Sequence, residues 1–242
     1  MTKRLLITAG CSFTEDSYYH QFGIMSWPRI MSDSLGIELV NLGRGGNSND
    51  SIENQVTDAV IKYADRDPIV MVLWTEPIRI NVFDGKTMFL IGDMAEEKEY
   101  PGSDLWPKVD PIDFSYYVMK HSLRTMWRTK KFVEDMGFAY FDKIGLHSVS
   151  EVLNIPVPDL VDTTASKLYR HNKLMERLTE NWYFKQLDIT RKDLEHGMEL
   201  EILDDSRLEC GHPNQSGHEL IAQNFMDKYF KSLEPRHKFI YE

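Results

Sequence analysis

Ile69-Val70-Met71-Val72-Leu73-Trp74 is six apolar residues in unbroken succession. A short run that is apolar on both faces and rich in β-branched residues predicts a strand in the middle of a parallel sheet, covered on each side. Working outward, Leu5-Leu6-Ile7-Thr8-Ala9, closed by Gly10, reads as a buried first strand, residues 37–42 as a second and residues 138–141 as a fourth. Helical spacing fills the gaps. Ile52, Val56, Ala59, Val60 and Tyr63 recur at three- and four-residue intervals within 51–64, residues 114–136 form a longer pattern, and Leu220, Ile221, Phe225 and Tyr229 mark 216–233. Strands alternating with helices imply parallel pairing through right-handed crossovers, and so an α/β fold built as a three-layer α/β/α sandwich. With 242 residues the chain is read as a single domain over 1–242. Two stretches break the alternation and are taken as insertions, at about 83–111 and 147–201, the second with a helical core at 166–182. Long connections of this kind shape entrances or decorate surfaces.

The charge balance narrows the function. Lys plus Arg number 28 against 38 for Asp plus Glu, a net charge of −10, and no basic patch interrupts it, so no nucleic-acid partner is expected. Ile69–Trp74 is the longest wholly apolar run and is far too short to cross a bilayer, so no membrane partner is expected. The first residues lead straight into a strand without a signal-peptide layout, and Cys11 and Cys210 are the two cysteines, so a reducing, cytoplasmic location is expected. The histidines lack the spacing of a metal site, His212 and His218 being six residues apart, and no metal or cofactor is called for.

In an open parallel sheet, ligands bind beyond the carboxyl ends of the strands. Three loops carry chemistry there. Gly10-Cys11-Ser12-Phe13-Thr14 follows the first strand and can present a hydroxyl. Residues 41–50 hold Gly43, Gly45 and Gly46 and run into a helix capped by Asn47 or Ser48, a layout that allows close backbone approach. This glycine loop lacks the lysine of a nucleotide-binding loop. Near the end of the chain, Glu209-Cys210-Gly211-His212-Pro213-Asn214 places a carboxylate three residues before a histidine, where it can orient the imidazole. Together these are the parts of an acyl-transfer site: a nucleophile, backbone oxyanion donors and an oriented base.

In those residues the chain resembles the SGNH (GDSL-type) serine hydrolase superfamily, including members encoded by bacteriophages. Gly10 to Thr14 is similar to the nucleophile block and Asn41 to Ser48 to the glycine block. The stretch around Trp74 to Arg79 falls where a third block belongs. Glu209-x-x-His212-Pro213-x-x-x-Gly217-His218-x-x-Ile221-Ala222 is similar to the last block along its full length. The resemblance implies a flavodoxin-like parallel sheet of the SGNH-hydrolase type and cleavage of a carboxylic ester, such as an O-acetyl group on a carbohydrate, through an acyl-enzyme. It makes Ser12 the nucleophile, His212 the base and Glu209 the residue that orients His212. The N–H groups of Ser12 and Gly46 become the oxyanion hole. Where the family has Gly-x-Asn-Asp this chain has Trp74-Thr75-Glu76-Pro77, which removes the side-chain oxyanion donor and leaves Thr75 or Arg79 to replace it. A free Glu76 carboxylate there would repel the oxyanion. Asn47, Trp74, Glu76 and Tyr18 are the expected substrate contacts. The partner is expected to be a small-molecule or glycan ester. The competing expectation is a binding or structural protein that keeps the fold without the chemistry, for example in a viral particle. Oligomeric state is left open.

Overall fold

The computed structural model describes residues 4–77, 79–81, 87–88, 111–145, 164–197, 204–209 and 211–233. The chain begins with β1 (Leu5–Gly10), two short helices α1 (Asp16–His20) and α2 (Trp27–Leu35), and β2 (Glu38–Asn41). Helix α3 (Asn49–Lys62) leads to β3 (Ile69–Trp74), which is followed by a small antiparallel pair, β4 (Ile80–Asn81) with β5 (Thr87–Met88). Next come α4 (Pro111–Asp135) and β6 (Ala139–Ile144). Three helices follow, α5 (Thr164–Thr179), α6 (Trp182–Gln186) and α7 (Arg191–His196), and α8 (Gln215–Leu233) comes last.

The main sheet is parallel, with strand order β2-β1-β3-β6. All six residues of Ile69–Trp74 are buried, because β3 lies between β1 and β6 and is covered on both faces. Alternation divides the core. Leu5, Ile7, Ala9, Val70, Val72 and Trp74 face α3 and α4, while Leu6, Ile69, Met71 and Leu73 meet Trp27, Met31, Ile221 and Phe225 of α2 and α8. This is the expected three-layer sandwich.

The chain leaves β1 toward β2 on one side and later places β3 on the other. The carboxyl ends of β1 and β3 therefore flank the point where strand order reverses, which is where open α/β sheets form binding crevices.

Sequence patterning missed α1 and α2, which are too short to show a period. Helix α2 is nonetheless well signalled locally, with Pro28 in its first turn and Gly36 ending it at φ 63°. The stretch read as an insertion at 147–201 is in part core. Leu174, Met175, Leu178, Leu187 and Leu194 join the hydrophobic layer that covers the sheet. Most of the first insertion, and residues 147–163 and 198–201 of the second, lie outside the described residues. No helix among the described residues is long and apolar enough to cross a membrane.

Candidate active site

Ser12 sits in the turn that leaves β1, whose tightness has a steric cause. A Cβ on Gly10 would lie 2.1 Å from Thr14 Oγ1 and 2.8 Å from the Leu73 carbonyl oxygen, so only glycine fits. The Thr14 N–H closes the turn on the Cys11 carbonyl at 2.9 Å. Cys11 itself is buried in the core, as a packed thiol rather than a nucleophile. Cys210 lies outside the described residues.

Two hundred positions along the chain, His212 is carried by a turn ahead of α8. The Leu208 N–H donates to the His212 carbonyl at 2.7 Å, and the Gly211 N–H donates to the Leu208 carbonyl at 2.9 Å. Gly211 at φ 80° permits the reversal, and Asn214 accepts the Gly217 N–H at the start of α8. This brings His212 Nε2 to 3.0 Å from Ser12 Oγ. For Ser12 to donate along this contact, the ring must carry its proton on Nδ1. The imidazole lies against two aromatic rings, Tyr18 at 4.9 Å and Phe13 at 5.6 Å between centroids. Tyr18, expected to touch substrate, thus packs against the base.

Glu209 departs from expectation. It occupies the exposed tip of the 208–211 turn, and its carboxylate makes no hydrogen bond to the His212 ring. The turn is closed by its own backbone bonds, which aim this side chain outward. The ring is held instead by its aromatic neighbours and by the turn.

The glycine loop closes over the other side of Ser12. A Cβ on Gly45 would be 4.0 Å from Ser12 Cβ, and one on Gly43 would be 2.5 Å from the Thr14 carbonyl carbon. Polar side chains lash the two loops together. Asn41 Nδ2 donates to the Thr14 carbonyl at 2.7 Å, and Asn47 Nδ2 donates to the Gly10 carbonyl at 2.9 Å and to Gln55 Oε1 at 3.0 Å. Asn47, expected on the substrate, is therefore a buried clamp with both amide hydrogens committed. Ser48 rather than Asn47 caps α3, accepting the Ser51 N–H at 3.1 Å. Among the described residues, the N–H groups of Ser12 and Gly46 have no protein acceptor.

The end of β3 and the loop after it correct the expectations for Trp74, Glu76, Arg79 and Thr75. Trp74 is core, its indole N–H donating to the buried Asp142 carboxylate at 3.0 Å. Burial raises the Asp142 carboxyl, opposed by the positive charge of Lys228 and by hydrogen bonds from Trp74 and Tyr140. Glu76 and Arg79 form a buried ion pair, Arg79 Nε lying 3.2 Å from Glu76 Oε2, so the carboxylate is matched and the guanidinium is engaged. Thr75 is fully buried, its N–H donating to Asn49 Oδ1 at 3.0 Å. Its hydroxyl is sealed from solvent, whereas a donor serving an open oxyanion pocket would be reachable. Thr75→Val is accordingly expected to leave kcat for a small ester within about threefold. A loss near the hundredfold typical of a missing oxyanion donor would restore Thr75 to that role.

Asn49 escaped sequence analysis. It holds Thr75 through both its amide oxygen and its amide nitrogen, and it also donates to Ser122. A polar residue at a helix start reads as a cap, and nothing local betrays a partner 26 positions away.

Beside the nucleophile loop, Glu15, Asp16, Ser17, His20, Asn41 and Gly43 line an open cavity. Burial alone would raise the Asp16 carboxyl, but hydrogen bonds from Ser26 at 2.6 Å and Arg29 at 2.8 Å outweigh it and hold the group below the usual range. Behind His212, His218 is fully buried. Its Nδ1 accepts the Trp27 N–H at 3.2 Å, and its ring meets Tyr19 at 4.0 Å between centroids. Burial pushes this histidine down to about 3, so it is neutral wherever His212 could act as a base. No group of three or more metal-ligating side chains occurs among the described residues.

The chain is similar to several solved structures. They include the psychrotrophic esterase EstA from Pseudoalteromonas sp., 14% identical, with 96% of this chain and 99% of that chain covered and a TM-score of 0.45. TesA is 10% identical over 93% and 97% of the two chains, with a TM-score of 0.45. A member of the lipolytic protein G-D-S-L family from Veillonella parvula is 13% identical over 94% and 99%, with a TM-score of 0.44. No protein-family model matches the chain, and no curated protein matches it.

Proposed function

We propose that this protein is a serine hydrolase that cleaves a carboxylic ester through a Ser12–His212 pair. One observation carries the proposal: Ser12 Oγ lies 3.0 Å from His212 Nε2 at the carboxyl end of the sheet, although 200 positions separate them. Ser12 attacks the ester carbonyl as its proton passes to His212 Nε2. The carbonyl oxygen becomes an oxyanion, and the N–H groups of Ser12 and Gly46 are its donors. The tetrahedral adduct collapses to an acyl-enzyme, and His212 returns the proton to the departing alcohol. Water then attacks the acyl group as His212 again accepts a proton, and the Ser12 Oγ–acyl bond breaks to release the acid while His212 returns that proton to Ser12 Oγ.

Two backbone donors and no side-chain donor predict a slow enzyme, since each missing donor typically costs about a hundred- to a thousandfold. Small acyl groups, an O-acetyl on a carbohydrate among them, are the substrates we propose to test first. Hydrolysis of p-nitrophenyl acetate by the wild-type chain and by Ser12→Ala tests the assignment. Turnover above background that vanishes in Ser12→Ala supports it. Equal rates from the two chains would leave the fold without the chemistry.

A further inference from the structure

We propose that Glu15 is a positioning residue that latches the glycine loop in its oxyanion-donating conformation; the inference rests on the hydrolase assignment above. The Asn47 N–H donates to the Arg44 carbonyl at 3.2 Å, which makes Arg44-Gly45-Gly46-Asn47 a β-turn with the two glycines at its centre. Gly46 has φ 76° and Gly45 does not share the positive sign, the signature of a type II turn. Types I and II differ by a rotation of the central peptide, and here that peptide carries the Gly46 N–H. The orientation of the proposed donor is therefore the very feature that distinguishes the two turns.

With glycine at both central positions, side-chain sterics impose almost no preference, so the turn needs an external hold. Glu15 supplies one. Its Oε2 accepts the Gly45 N–H at 2.7 Å, and its Oε1 accepts the Ser17 hydroxyl at 2.9 Å. The carboxylate thus grips the peptide just before the one that must be oriented, and does so from the residue that follows the nucleophile turn. A Cβ on Gly45 would stand 3.0 Å from Glu15 Oε2 and 4.0 Å from Ser12 Cβ, so latch and nucleophile face the same glycine. Among the described residues no basic side chain forms a salt bridge with Glu15, so the carboxylate is spent on this loop rather than on a surface ion pair.

The test uses Glu15→Ala and Glu15→Gln in the full chain, measuring kcat and KM for p-nitrophenyl acetate and the hydrogen exchange of the Gly45 amide by NMR. Glu15→Ala should lower kcat by about ten- to a hundredfold, with KM within threefold, and speed Gly45 exchange at least tenfold. Gln keeps an acceptor oxygen, so Glu15→Gln should stay within about threefold of wild type in every readout. Wild-type kcat or undiminished Gly45 protection in Glu15→Ala overturns the latch. So does a Gln variant as impaired as the Ala variant, because the acceptor would then not be what matters. A wild-type chain with no esterase activity would overturn the hydrolase assignment instead, and Gly45 exchange alone would then decide the latch.

Discussion

Replacing His212 with alanine is expected to lower kcat/KM for a small activated ester by about a thousandfold or more, while Glu209→Gln changes it less than about threefold. General-base catalysis by a positioned side chain contributes about 10² to 10⁴. His212 also returns the proton to the leaving group, so its loss affects both halves of the cycle. In Ser-His-Asp sites a carboxylate on the second ring nitrogen supports the imidazolium. Here the Glu209 carboxylate is exposed and makes no bond to the ring, whereas Tyr18 and Phe13 pack against it. The two variants separate these contributions. The acid limb of the rate–pH profile should fall with unit slope as His212 takes up a proton, and it should stay in place in Glu209→Gln. A Glu209→Gln limb displaced to lower pH, with a plateau reduced tenfold, would show that the carboxylate swings onto the ring during turnover.

The second large effect is on stability in acid. His218 is held to about 3 by burial, against about 6.5 for a free histidine. Below pH 6.5 the unfolded chain binds a proton there that the native ring refuses. The stability tied to neutral His218 is therefore intact above pH 6.5 and is lost progressively as pH falls toward 3, at about 1.4 kcal/mol per pH unit. Between pH 7.5 and 5.0 this amounts to about 2 kcal/mol. His218→Asn keeps an acceptor for the Trp27 N–H but cannot titrate. Urea unfolding at the two pH values should show the wild type losing about 2 kcal/mol more than the variant, even if the variant starts lower because its packing against Tyr19 is gone. Equal losses in the two chains would contradict a buried neutral His218.

The sheet was legible because burial on both faces leaves an unmistakable mark, as in Ile69–Trp74, and because the glycines at 10, 43, 45 and 46 stand where chain turns and close approaches demand them. The Ser12–His212 contact was anticipated because the two loops resemble the nucleophile and last blocks of one superfamily, a likeness that implies they meet. What failed had a common cause: an isolated residue does not reveal the direction of its side chain. Glu209 has the right spacing but occupies the outer corner of a backbone-closed turn. Trp74 ends a buried strand, and alternation sends its ring inward to Asp142 rather than outward to a ligand. Asn47 and Asn49 spend their amides on loops distant in sequence, and neither Glu76 nor Arg79 declares from sequence that the other will neutralise it.

A fluorophosphonate probe, with the adduct located by peptide mass spectrometry, reports whether Ser12 is a nucleophile activated by His212. One adduct per chain is expected on Ser12, formed at a rate that falls at least a hundredfold in His212→Ala. A folded wild-type chain that remains unlabelled, or an adduct on Ser12 that forms equally fast without His212, would contradict it.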